Sequence, residues 1–180
     1  MSGLPPSADA RASLPDGLSF WHPAVLAATW FGTGLLPKAP GTWGSLAALP
    51  IAWVIAERFG ALTLVAVGCA IFLVGLWAVK IYLDHSSDQS QDKDPGIINI
   101  DEVAGQLLTL VPAGLDPLAF GLGFIAFRFF DVIKPWPIGA LERRLDGALG
   151  VMADDLAAAL YAAAIVSLFL FIKEGTNVFL

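Results

Sequence analysis

Ile97-Ile-Asn-Ile-Asp-Glu-Val-Ala-Gly-Gln106 sets two adjacent acids, Asp101 and Glu102, at the start of an otherwise apolar segment. A carboxylate at the level of a membrane interface persists only where a cation or hydrogen-bond donor offsets its desolvation. No Lys or Arg lies beside this pair. Acids recur instead in two similar settings: Asp131 within Phe127-Arg-Phe-Phe-Asp-Val-Ile, and Asp154-Asp155 at the opening of the last apolar run. Carboxylates gathered from three apolar segments need a metal between them. The expected fold is therefore all-α, a compact bundle of about five to six helices integral to the membrane, with a Gly/Pro-rich loop and an acidic site at one face.

Working outward, Phe59 to Val79 carries no charge and is bracketed by Arg58 and Lys80, which meets the requirement of about 20 apolar residues for a span. Hydrophobic residues make up 57% of the 180-residue chain against 14% charged, and the mean hydropathy is +0.72. That balance points to lipid, and a single domain over residues 18–180 leaves no room for a soluble catalytic module. Residues 1–17 read as a mobile tail. The net charge of −6 gives no basic footprint for nucleic acid. The lone Cys69 lies inside an apolar run and is expected to pack there.

Between Gly32 and Ser45 the chain is too rich in Gly and Pro for a helix and reads as a shaped loop, with Ser45 capping a helix over residues 46–56 that Pro50 kinks. A glycine-rich turn feeding a capped N-terminus suits a phosphate, which nominates Gly41, Thr42 and Ser45. Further helices are expected at 23–31, 101–111, 117–133 and 156–172, with an acidic solvated loop at 84–96 and a charged surface segment at 142–146. Arg128, Asp131 and Lys134 are spaced by three and form one polar stripe on a helix, an acid flanked by two cations. His22 and His85 read as structural or surface residues. All the acids then fall on one side of the membrane, and the surplus of Lys and Arg there, Lys93 included, makes that side cytoplasmic.

All the candidate ligands are oxygen donors, which favour Mg²⁺ or Mn²⁺ over zinc. Small residues after the acids, Ala104-Gly105 and Ala157 to Ala159, allow helices to approach closely enough to share an ion. Two other readings fit an acid-rich apolar chain: transfer of a phosphoalcohol between lipids, and a carrier whose acids couple to cations.

Four ordered blocks resemble the phosphatidylglycerophosphatase A family: Gly32-Thr-Gly-Leu-Leu-Pro-Lys-Ala-Pro-Gly-Thr-Trp-Gly-Ser-Leu-Ala-Ala-Leu-Pro, Ile100-Asp-Glu-Val-Ala-Gly, Phe127-Arg-Phe-Phe-Asp-Val-Ile-Lys-Pro-Trp-Pro-Ile and Gly150-Val-Met-Ala-Asp-Asp. The resemblance implies a Mg²⁺-dependent enzyme of the bacterial inner membrane that removes the terminal phosphate of phosphatidylglycerophosphate. It also implies that Asp101, Glu102, Asp131, Asp154 and Asp155 are the catalytic and metal-binding acids, and that Lys38, Arg128 and Lys134 contact phosphate. Ala159 stands where the family pattern leads one to expect a glycine.

Overall fold

The computed structural model describes residues 14–86 and 96–177. Among them it forms seven α-helices and no strand: α1 (Pro23–Ala28), α2 (Pro40–Phe59), α3 (Ala61–Asp84), α4 (Ile100–Thr109), α5 (Pro117–Ile133), α6 (Ile138–Arg144) and α7 (Gly147–Asn177). Of the expected tail, residues 1–13 lie outside the described residues, as do Lys93 and most of the expected acidic loop. Leu14 packs against the core, and the Asp16 amide donates to the His85 carbonyl at 2.8 Å.

The short α4 is the axis. It packs against α2, α3, α5 and α7, and Val103, Ala104, Leu107 and Leu110 are almost wholly removed from solvent. Each of the valine and leucine side chains contributes on the order of 2 kcal/mol of burial. Close approach depends on absent side chains. A Cβ on Gly105 would come within 2.6 Å of the Phe127 ring and 3.1 Å of the Asp155 carbonyl oxygen, so α4 lies almost against the backbone of α7. Ala159, in place of the expected glycine, is buried in the cluster formed by Phe127, Ala158 and Ala162, and its methyl fills space there.

The outer surface is apolar. Leu62 is 86% exposed, Phe171 76% and Ile125 66%, so the bundle carries hydrophobic residues on its rim as well as in its core, the opposite of a water-facing helix pattern. Two helices, α3 over Ala61–Asp84 and α7 over Gly147–Gly175, are long and apolar enough to cross a membrane. Cys69 sits on the exposed face of α3. The expectation that it packs inside is corrected, because an uninterrupted apolar run does not say which of its faces meets neighbouring helices.

Several helix boundaries differ from the reading of the sequence: α1 stops at Ala28, short of the expected 31, α4 at Thr109, short of 111, and three differences are larger. α2 begins at Pro40, not at Ser45: Pro occupies the first turn, where its missing N–H costs nothing, and Gly41 and Gly44 are helical residues selected by what packs on them. Pro50 lies inside the helix and removes only the bond to the carbonyl four residues back. α7 begins at Gly147, so Asp154 and Asp155 lie two turns inside it; Val151 and Met152 supply a buried face that extends the helix ahead of the hydropathy run. The segment expected to be merely charged surface ends the helix α6. By contrast α5 has the expected bounds, fixed by Asp116 and Pro117 at one end and Lys134 in the left-handed conformation at the other.

Asp116 also sets the end of the bundle remote from the other acids. Its Oδ1 accepts from the Leu118 and Ala119 amides at 2.9 and 3.0 Å, and its Oδ2 pairs with Lys173 near the end of α7. The hydrogen bond from Lys173, followed by that from Ala119, holds this carboxyl below its usual range. A depressed folded-state value means a contribution present above the ordinary aspartate pKa of about 3.9 and lost as the pH falls through the folded one. Asn at 116 retains the cap but not the charge. The difference in thermal midpoint between the parent and Asp116→Asn is therefore expected to shrink as unfolding is measured from pH 6 down into that acidic window.

Candidate active site

The start of α4, the last two turns of α5, the third turn of α7 and the first turn of α2 meet at one end of the bundle. Asn99 precedes α4; its amide nitrogen donates to Thr33 Oγ1 at 2.8 Å and to the Pro40 carbonyl at 3.3 Å. These bonds tie the start of α4 to the start of α2. Asp101 and Glu102 then fall in the first turn of α4, where the helix dipole favours negative charge.

One carboxylate oxygen from each of Asp101, Glu102 and Asp155 lies within 4.8 Å of the others, although 54 positions separate the first and last in sequence. Asp155 also lies close enough to Asp131 and Asp154 for their charges, with that of Asp101, to bear on it. Its Oδ2 is buried and has no hydrogen-bond partner among the described residues. Carboxylates this close repel one another, and a cation offsets that repulsion. An all-oxygen trio with a buried, unbonded oxygen fits a hard divalent ion such as Mg²⁺.

The other two expected ligands are engaged differently. Asp131 Oδ2 is bound by Arg128 Nη1 at 2.7 Å. Asp154 Oδ2 pairs with Lys134, while its Oδ1 accepts the Asp155 amide at 3.0 Å. Lys134 thus leaves the stripe of Arg128 and Asp131: as the left-handed C-cap of α5 it turns toward α7. Arg128 is the hub, with Nη1 also 3.7 Å from Glu102 Oε1 and 3.4 Å from Ser45 Oγ.

Ser45 is not a helix cap. Its hydroxyl lies one turn inside α2, donates to the Gly41 carbonyl at 3.0 Å and is fully buried. Gly41 touches the site directly: a Cβ there would overlap the Glu102 carboxylate and stand 3.2 Å from Arg128 Nη1. Thr42 is half-buried in the same turn, whereas Lys38 is exposed in the preceding loop, and no contact joins its side chain to the acids among the described residues. His22 caps α1 through Nδ1, 3.3 Å from the Ala24 amide. His85 Nδ1 meets the Ile81 carbonyl at 2.9 Å. Both are structural, as expected. Sequence reasoning missed Asn99 and Gln106, fully buried polar residues whose only signal was a polar side chain amid apolar neighbours.

Gly41→Ala tests the contact between α2 and α4. Alanine favours the helix over glycine, so helix content and melting are expected to hold, while displacement of Glu102 and Arg128 lowers turnover about 100-fold. Circular dichroism and an activity assay on one preparation check both halves.

Fold and site together define an all-helical protein that holds an oxygen-donor cluster, with a guanidinium beside it, at one end of an apolar bundle. The family model described as phosphatidylglycerophosphatase A matches residues 26–170, and the chain belongs to that family. It is 33% identical over 152 residues to a phosphatidylglycerophosphatase A of Haemophilus influenzae, covering 83% of this chain and 90% of the relative. It is also 33% identical over 168 residues to that of Escherichia coli, 92% of each chain. A Bacteroides thetaiotaomicron protein, provisionally named phosphatidylinositol-3-phosphatase, is 30% identical over 151 residues, 79% of this chain and 91% of that one. No solved structure matches the chain.

Proposed function

We propose that this protein hydrolyses the terminal phosphate monoester of phosphatidylglycerophosphate, giving phosphatidylglycerol and inorganic phosphate, in the inner membrane of a bacterium. The observation that carries the reading is the meeting of Asp101, Glu102 and Asp155 within 4.8 Å beside Arg128; the names of the Haemophilus and Escherichia relatives supply the substrate.

Asp101, Glu102 and Asp155 would hold a Mg²⁺, which when bound supplies positive charge to a phosphate oxygen and acidifies a water. Monoester hydrolysis passes through a loose transition state whose charge lies on the phosphoryl oxygens, so fixed positive charge and alignment give most of the acceleration. Arg128, aimed by Asp131 and Ser45, donates to those oxygens. Asp131, beside the trio but outside it, accepts the proton of the attacking water, and that proton returns to the departing glycerol oxygen so that phosphatidylglycerol leaves as the neutral alcohol. Gly41 and Thr42, in the first turn of α2, bring the positive end of a helix dipole toward the same phosphate. Lys134 and Asp154 brace α5 against α7 and so fix the position of Asp155.

We place α3 and α7 across the bilayer, with the acids at the cytoplasmic face. Lys80, Lys134, Arg143 and Arg144 lie toward that end, and Arg58 and Lys173 toward the other.

The deciding experiment incubates the purified protein in detergent micelles with phosphatidylglycerophosphate, with and without Mg²⁺, and in parallel with phosphatidylinositol 3-phosphate. Phosphate release from the first lipid alone, dependent on the metal, is expected. Preference for the inositide would transfer the assignment to the activity named for the Bacteroides relative, and no release from either lipid would end the phosphatase reading.

A further inference from the structure

A groove of about 390 Å³ opens on the outer surface between α2 and α5, lined by Leu49, Pro50, Trp53, Pro117, Phe120 and Gly121. Its floor is Phe120, 5% exposed, whose ring meets Trp53 edge-on at 5.0 Å between centroids. Pro50 and Gly121 leave its mouth open, and a Cβ added at Gly121 would meet nothing within 4 Å.

The groove lies along the same two helices that carry Ser45 and Arg128 into the candidate active site. Ser45, Leu49 and Trp53 follow at intervals of four along one face of α2. Pro117, Gly121, Phe124 and Arg128 follow at intervals of four, three and four along one face of α5. The two faces are joined at the acid end by Arg128 and Ser45, 3.4 Å apart, and farther along by Trp53 and Phe120. At 1.5 Å per residue, Gly121 lies about 10 Å from Arg128 and Trp53 about 12 Å from Ser45. The paired faces therefore carry a guanidinium able to hold a phosphate and, two turns away, an apolar slot. This is the charge and spacing of a lipid phosphate lying along the bundle, headgroup at the acids and hydrocarbon in the slot.

We propose that the groove between α2 and α5 is the binding site for an acyl chain of the lipid substrate. This rests on the phosphatase reading above. An apolar slot adds substrate affinity through buried methylenes without touching the reacting atoms, so its contribution appears in KM.

Gly121→Phe places a ring in the groove from an open position on α5, and Leu62→Phe, at an exposed position of α3 outside the groove, is the control. Phosphate release is measured from dioleoyl and from dihexanoyl phosphatidylglycerophosphate, the latter too short to fill the slot. For Gly121→Phe the KM for the dioleoyl lipid is expected to rise about tenfold, equivalent to about two buried methylenes. Its kcat, and both constants for the dihexanoyl lipid, stay at parent values, and Leu62→Phe matches the parent throughout. Equal losses on both substrates, or no change in either KM, overturn the proposal.

A second readout separates the groove from the activity. Phosphatidylglycerophosphate with a photoreactive diazirine at the chain end is expected to label residues 49–53 and 117–121 in the parent, and excess unlabelled dioleoyl lipid should suppress that labelling. Suppression by phosphatidylcholine to the same degree, or labelling unchanged in Gly121→Phe, refutes the groove. A parent protein that releases no phosphate from either chain length refutes the phosphatase reading, whatever the labelling shows.

Discussion

Asp155→Asn is expected to lower phosphate release by at least about 1,000-fold while leaving the metal-free protein as stable as the parent or more so. The two effects oppose each other because Asp155 is 3% exposed and lies among Asp101, Glu102, Asp131 and Asp154. Removing one of several crowded charges relieves repulsion, and an amide of the same shape leaves the packing undisturbed. The same change takes away one donor of the trio. Ligand-linked stabilisation follows RT ln(1 + [L]/Kd), so the parent melting temperature should climb as Mg²⁺ is titrated in, and that of Asp155→Asn should stay flat. Thermal scans with and without a chelator, read beside the activity assay, check the prediction. A variant that melts lower than the parent without metal would show that Asp155 serves the fold instead.

Arg128→Lys is expected to cost about 100-fold in kcat and to leave the Mg²⁺-dependent rise in melting temperature intact. Arg128 Nη1 is 2.7 Å from Asp131, 3.4 Å from Ser45 and 3.7 Å from Glu102, and a guanidinium has further donors in a fixed plane for a phosphate. Lysine offers one compact ammonium on a flexible stem; it can keep the pair with Asp131 or reach the ligand, not both in one geometry. The metal ligands remain, so metal binding and catalysis should separate: Asp155→Asn abolishes both and Arg128→Lys only the second. Steady-state kinetics on the two variants, with Mg²⁺ titrated by thermal shift, distinguishes them. If Arg128→Lys retained the parent kcat, the guanidinium would have no part in stabilising the transition state.

Sequence and structure agree most closely where chemistry is local. α5 runs from Pro117 to Ile133 as read, because an acidic cap, a proline in the first turn and a proline pair after the end are all encoded within a few residues. The apolar run that becomes α3 is legible for the same reason, since length and the lack of charge are properties of the segment alone. The five acids and Arg128 were nominated by an argument equally local: charge inside apolar surroundings is costly wherever the chain goes.

What packing decides was read wrongly or not at all. The glycines at 41 and 44 look like loop formers in sequence, yet they are helical residues, small because Glu102, Arg128 and Asn99 press against them. Ser45 looks like a cap and is a contact of Arg128. Asp154 and Asp155, adjacent and chemically identical, part company only in three dimensions: consecutive helical residues point about 100° apart, so one meets Lys134 and the other joins Asp101 and Glu102.

The sequence by itself determined that this chain is helical, apolar and furnished with acids its surroundings make costly, since each of those facts follows from the energy of a residue in its own segment. Only the tertiary structure decided which three carboxylates converge and which cation each remaining acid keeps. Those choices depend on helix rotation and on backbone contacts such as Gly105 against α7, between residues far apart in the chain.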